Sequence, residues 1–136
     1  MSEYQHNTLE KFLDGKRFAV VGASQDRSKY GNKVLRVYQQ NRYDVVPVNP
    51  KADVVEGLKA YPDLASIPGT IHAVSIITPP AVTERVVQEA IQKGIKHIWM
   101  QPGAESPAAV ALCREKGINI IADGSCLLVV LGYHEH

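Results

Sequence analysis

A three-layer α/β fold, with a mostly parallel sheet of five or six strands flanked by helices, is the architecture this sequence predicts. Three observations carry it. Five short runs are apolar and largely β-branched along their length, the pattern of strands buried on both faces. Amphipathic stretches of helical period separate most of them. Two of those stretches end alike, at Lys93-Gly94-Ile95 and Lys116-Gly117-Ile118, where glycine can take the left-handed conformation that stops a helix just before a strand.

The elements follow in order. Within residues 1–15, "TLEKFLDG" is a short amphipathic helix with Thr8 as its candidate cap. "RFAVVG" (17–22) is the first strand, and "GNKVLRVYQQN" is a helix starting near Asn32 that places Val34, Leu35, Val37 and Tyr38 together. "YDVVPV" (43–48) is the second strand. From Lys51 to Gly69 the rhythm fails, because Gly57, Pro62 and Pro68 break the chain; "EGLKAYPDLASIP" is expected to hold a short extended piece and one helical turn. "HAVSIIT" (72–78), "KHIWMQ" (96–101) and "INIIAD" (118–123) are the remaining strands. Between them, "PPAVTERVVQEAIQKG" sets Val82, Val86, Val87, Ala90 and Ile91 on one stripe, and "SPAAVALCREKG" offers Ser106 as cap with Pro107 in the first turn. "CLLVVLGY" reads as a sixth strand or as an interface strand, and residues 132–136 as a flexible tail.

Composition narrows the function. A chain of 136 residues is expected to form one domain, and a domain of that size buries about two thirds of its unfolded surface. A net charge of +1 gives no general attraction to nucleic acid or to membranes, so any phosphate recognition has to be local. No apolar run approaches the ~20 residues of a membrane span, and "MSEYQHNTLEKF" lacks the basic-then-apolar layout of a secretory signal, which predicts a cytoplasmic protein. Cys113 and Cys126 are spaced for neither zinc nor a disulfide framework. Cys113, within "AAVALC", is expected in the core.

In an open parallel sheet, ligands bind beyond the carboxyl ends of the strands, where the strand order reverses. That rule singles out Gly22 to Asn32, Asn49 to Lys51, Thr78 to Pro80, Gln101 to Glu105 and, fifth, Asp123 to Cys126. The dinucleotide fingerprint G-x-G-x-x-G fails in the first of these: Ser24 stands where the second glycine belongs, and the next glycine is Gly31. The loop instead carries Arg27, Lys29 and Lys33. Gly22 and Ala23 are small enough for backbone N–H groups to approach a pyrophosphate, with the helix N-terminus aimed at the anion. The second strand ends on Asn49 and Lys51, where an NAD site presents an acid to the ribose hydroxyls. A neutral and a cationic residue there suit a ribose that bears a phosphate, as in NADP or coenzyme A. Taken alone, Lys51 reads better as an ordinary solvated loop lysine.

In order along the chain, "VVGAS", "GNKV", "VVPVNPK", "YPDLASIP", "ITPP" and "VVQEAIQKGIKHIWMQPGAES" resemble the small stand-alone CoA-binding proteins of the Rossmann type. These are similar to the CoA-binding domain of the succinyl-CoA synthetase α-subunit. The likeness runs from about Lys11 to Cys126. It implies that Gly22, Ala23 and Ser24 cradle the pyrophosphate while Arg27 or Lys29 neutralises it. It also implies that Asn49, Pro50 and Lys51 flank the 3′-phosphate, that Thr78, Pro79 and Pro80 line the groove, and that Gln101, Pro102 and Gly103 meet the pantetheine arm. After Asp123 the pattern departs, with "DGSC" leading into "LLVVLGYHEH".

No paired carboxylates, Ser-His-Asp arrangement or metal cluster falls where a substrate would lie, and the second domain that carries the synthetase's phosphorylated histidine has no counterpart here. His6, the strand-start histidines His72 and His97, and the tail's His134 and His136 read as structural or solvated. The expectation is a binding module for coenzyme A or acyl-CoA: a carrier, a sensor, or the partner of an acyl-CoA enzyme, with a homodimer as another arrangement. Cys126 is a candidate contact for the ligand's thiol, including a mixed disulfide. The competing class is a small NADP-dependent oxidoreductase or dinucleotide sensor, and a third is a structural oligomerisation subunit.

Overall fold

The structure, a computed structural model, describes residues 2–135, with side chains from Thr8 onward; His136 and the His6 side chain lie outside the described residues. Five parallel strands form the sheet: β1 (Phe18–Val21), β2 (Val45–Val48), β5 (Ala73–Ile76), β6 (His97–Met100) and β7 (Asn119–Ile121), in the order β2-β1-β5-β6-β7. Between β2 and β5, β3 (Val54–Val55) and β4 (Leu58–Lys59) make a small antiparallel hairpin. Tyr61 then bridges to Val48 in parallel along the outer edge of β2, a single residue in the place of a further strand.

Each strand alternates between two cores, as the two-residue period of a strand requires. Ala19, Val21, Val46, Val74, Ile76, Ile98 and Met100 face α3 (Pro80–Lys93) and α4 (Pro107–Glu115), which bring Val86, Val87, Ala90, Ala109 and Cys113. Phe18, Val20, Val45, Ala73, Trp99 and Ile121 face the other way, onto α1 (Ser2–Leu13), α2 (Tyr30–Gln40) and α5 (Leu127–Val130). Phe12 meets the edge of Trp99 at 5.3 Å, and Phe18 lies 5.3 Å from Tyr38. All four rings are fully buried, and burial of an aromatic side chain stabilises the fold by about 1.5–3 kcal/mol each. Cys113 is in the core as expected, where burial pushes its thiol up to about 11.

The expected caps and stops are present at α3 and α4. Ser106 Oγ accepts from Ala109 N, Pro107 opens the helix, and Gly94 closes α3 with φ of 83°. Elsewhere the structure differs from expectation. Helix α1 starts at Ser2, so Thr8 lies inside it rather than capping it. Helix α2 starts at Tyr30, two residues early. The expected helical turn in 51–69 is one hydrogen-bonded turn, Ile67 N to Leu64 O, and the extended piece is the β3/β4 hairpin. "LLVV" is not a sixth strand. It forms α5, with Leu127 buried, Leu128 and Leu131 half-buried, and Val129 and Val130 exposed. Burial at 127, 128 and 131 follows a helical face, and a short apolar run does not reveal its period in advance. Residues 132–135 lie against α2: Gln40 donates to His134 O at 2.6 Å and accepts from His134 N at 2.9 Å.

His72 and His97 stack at 4.4 Å at the amino ends of β5 and β6, opposite the loops of interest. His72 Nε2 donates toward the Phe12 and Lys11 carbonyls, tying α1 to the sheet. An amide nitrogen only donates, so the Asn119 amide 3.0 Å from His97 Nδ1 requires that nitrogen to be unprotonated. Burial first, then the positive charges of His72 and Lys11, hold His97 below its ordinary 6.5. The unfolded chain therefore binds more protons than the folded one below 6.5, and stability falls as pH falls through that window. Melting temperature is expected to be flat above neutrality and to drop on the acid side. In His97→Asn, the part of that drop that sets in below 6.5 is expected to shrink, and coincident profiles would remove His97 as its source.

Candidate functional site

All five parallel strands deliver their carboxyl ends to one rim, and the order reverses between β1 and β5. The loop after β1 is shaped by two glycines. Gly22 has φ of 97°, and a Cβ there would stand 2.0 Å from the Ile77 carbonyl oxygen. At Gly31 a Cβ would stand 1.9 Å from the Gly22 carbonyl oxygen. Helix α2 can thus press its first turn onto the end of β1 only because Gly31 has no side chain, while the bare Gly22 lets the end of β1 pass close to the Ile77 carbonyl after β5. Gly22 and Gly31 thus supply the tight turn and the close helix–strand packing of this corner across a loop longer than a dinucleotide fingerprint. Lys29 precedes the helix in extended conformation, and no side-chain hydrogen bond caps it among the described residues. That leaves the positive end of α2 facing the loop.

The loop holds its own shape. Asp26 N donates to Ser24 Oγ at 3.0 Å, and Ser28 donates to Asp26 Oδ1 through both its N–H and its hydroxyl. The Ser28 hydroxyl is the chief reason that the Asp26 carboxyl sits below its usual range. Asn49 joins this loop to the next: its amide donates to Ala23 O at 2.9 Å while its Oδ1 accepts from Lys51 N at 2.7 Å. An aspartate could not donate to that carbonyl. The carboxamide explains physically why the second strand ends on Asn49, and it also leaves the rim without an acid at that point.

On the other side of α2, the Tyr30 hydroxyl lies 3.0 Å from Gln101 Oε1 and 2.8 Å from Cys126 Sγ. Burial pushes the Tyr30 hydroxyl well above its usual range, and the bond to Cys126 adds to the shift. Gln101 is fully buried, and its Oε1 also accepts from Leu127 N at 2.9 Å, while its Nε2 is buried without a hydrogen-bond partner among the described residues. The side chain of Gln101 is thus a clasp between the loops after β6 and β7 and the start of α2. Pro102 and Gly103 are exposed beyond it, and Glu105 folds back to accept from Gly103 N at 2.8 Å. Trp99 Nε1 donates to Ser125 O and fixes the approach to Cys126. Pro79 and Pro80 open α3 at the rim, with Thr78 Oγ1 2.8 Å from Thr83 Oγ1.

Gly22, Ala23, Ser24 and Asn49 are therefore brought together through hydrogen bonds, as are Gln101 and Cys126 through Tyr30. Lys29, Pro50, Lys51, Pro79, Pro80, Pro102 and Gly103 stand exposed around them. Arg27 is engaged: its Nε lies 3.5 Å from Glu56 Oε2 at the tip of the β3/β4 hairpin. Glu56 has φ of 49°, and it also accepts from Asn32 Nδ2 at 2.9 Å. Sequence reasoning missed Tyr30, Asn32, Arg36 and Glu56. Asn32 and Arg36 stand one turn apart on α2 among its apolar residues, a spacing that marks a buried polar pair. The Glu56-Gly57 step was readable as a hairpin tip, though not its docking against the loop.

A parallel α/β sheet with a helix N-terminus set against a small-residue loop at its reversal point defines a Rossmann-like class of protein. Within that class the chain belongs to the CoA binding domain family, which it matches over residues 16–131. It is 32% identical over 108 residues to the uncharacterized protein YneT of Bacillus subtilis, covering 79% of this chain and 80% of that protein. To the α subunit of ADP-forming acetate–CoA ligase II of Pyrococcus furiosus it is 34% identical over 93 residues, 66% of this chain but 20% of that subunit. A solved structure of a hypothetical protein from Pyrococcus horikoshii superposes with a TM-score of 0.85 at 34% identity, over 91% of this chain and 87% of that one.

Because the obstacle at Gly31 is backbone, Gly31→Ala is expected to destabilise the protein by about 1–3 kcal/mol. The denaturant midpoint reads this directly, and an unchanged midpoint would contradict the close approach of α2 to β1.

Proposed function

We propose that the chain binds coenzyme A or acyl-CoA at this rim as a cytoplasmic binding module with no turnover of its own. The observation that carries the reading is the end of β2, where Asn49 is committed to the Ala23 carbonyl and Lys51 stands exposed beside it. No carboxylate is there to receive ribose hydroxyls, and a cation is there for a ribose phosphate. Family membership then favours coenzyme A over NADP.

In this reading the pyrophosphate lies on the backbone of Gly22, Ala23 and Ser24, before the N-terminus of α2, where N–H groups and the helix dipole stabilise negative charge. Lys29 adds charge, and Arg27 adds its own by turning from Glu56. The 3′-phosphate lies by Asn49, Pro50 and Lys51. Thr78, Pro79 and Pro80 wall the groove, and the pantetheine arm runs over the Gln101-Pro102-Gly103 turn toward Cys126. The ligase subunit from Pyrococcus furiosus, in which the matching segment is a fifth of the length, supports an acyl-CoA enzyme as the partner of such a module.

Calorimetric titration with coenzyme A, dephospho-coenzyme A, NADP and NAD tests the assignment. Coenzyme A is expected to bind at least about tenfold more tightly than its dephospho form, and Lys51→Ala is expected to close most of that gap. Equal affinity for the two would remove the role of Lys51. Preference for NADP would replace the reading with a dinucleotide one.

A further inference from the structure

Arg36 is 4% exposed, in the middle of α2 and behind the loop after β1. Burying a guanidinium is costly unless its donors are satisfied, so its partners identify what it is there to hold. Nε donates to Asn32 Oδ1 at 2.6 Å, and Nη2 donates to Arg27 O at 2.9 Å. The Asn32 amide in turn donates to Ser24 O at 2.8 Å. One side chain thereby grips the loop at Ser24, through Asn32, and directly at Arg27. Its third nitrogen, Nη1, has no hydrogen-bond partner among the described residues; the Glu135 carboxylate stands off at 3.8 Å and is itself exposed.

The C-terminal segment seals this cation. Gln40 clamps both the N–H and the carbonyl of His134, and Asn41 Nδ2 donates to Leu131 O at 3.0 Å. That fastening lays the Tyr133 ring 5.3 Å from the guanidinium, a cation–π distance, with the Tyr133 hydroxyl donating to Glu135 at 2.6 Å. A continuous set of contacts thus runs from the tail, through Arg36, to the backbone on which an anion would sit.

We propose that Arg36 is the positioning residue of the phosphate loop, and that residues 132–135 are a strap that keeps it seated, so that docking of the tail sets the loop's geometry and its affinity for a ligand's phosphates. The affinity part rests on the coenzyme A reading; the loop part does not. With the strap gone, water reaches the guanidinium and competes for it, and the Arg27 carbonyl and Asn32 lose their anchor.

Two readouts test this on the full chain, on a chain ending at Leu131, on Tyr133→Ala and on Arg36→Lys. Hydrogen exchange in the unliganded protein follows the Asp26, Ser28 and Lys29 amides, which are bonded within the loop. Their exchange is expected to quicken by about tenfold in all three variants while amides of β1, β5 and β6 keep their rates, because a local opening leaves the core intact. Affinity for coenzyme A is expected to fall by about tenfold in the same variants, Arg36→Lys included, since an ammonium keeps the charge but not the fork that reaches Asn32 and Arg27 together. Unchanged loop exchange, or quickening spread evenly over sheet and loop, would overturn the proposal in favour of a purely stabilising tail. Should Arg36→Lys fail to fold, the truncated chain and Tyr133→Ala alone decide it. Absence of coenzyme A binding by the full chain would reject the functional reading instead, while loop exchange still decides the role of the strap.

Discussion

Helix α2 sits against the end of β1 because Gly31 offers no side chain to the Gly22 carbonyl, and most of the rim depends on that contact. A Cβ on Gly31 would push the helix away from the strand, and one on Gly22 would collide with the Ile77 carbonyl after β5. The close approach puts Tyr30 within reach of Gln101 and Cys126 on one side of the helix, and Asn32 within reach of the Ser24 carbonyl on the other. It also aims the first turn of α2 at the small-residue loop, which is what makes that loop attractive to an anion.

The loops of the rim are tied together by carboxamides. Asn49 holds Ala23, Asn32 holds Ser24, and Gln101 accepts from Tyr30 and Leu127. A carboxamide can donate to one loop and accept from another without adding charge, so the positive potential of the helix end and of Lys29 and Lys51 is not cancelled by the groups that hold the structure in place. Two carboxylates do stand close by. Asp26 is occupied with Ser28, and Glu56 with Asn32 and Arg27, so the loop has one cation already paired and another, Arg36, hydrogen-bonded to neutral oxygens with the Glu135 carboxylate at 3.8 Å.

The parallel sheet was legible because its strands are continuous apolar runs with both faces buried, and the helices because Val34, Leu35 and Tyr38 or Val86, Val87 and Ala90 recur at helical spacing. Gly22, Asn49 and Gln101 were found by where they fall, each just past a strand. What they do was not legible: the side chains of Asn49 and Gln101 turn inward to bridge loops, and which loops meet is settled by strand order, a long-range property. Glu56 and Arg36 were missed for the same reason, since their partners lie 24 and 9 residues away. "LLVV" misled because four apolar residues fit either period, and the contact of its first residue, Leu127 N to Gln101 Oε1, is long-range.

Binding of coenzyme A at the carboxyl rim is read most directly from the change in backbone amide resonances when the labelled protein is saturated with coenzyme A. The largest shifts are expected at Gly22 to Lys29, Asn49, Lys51 and Gly103, with little change around His72 and His97 at the opposite edge of the sheet. Shifts centred on that opposite edge, or none anywhere at saturating ligand, would contradict it.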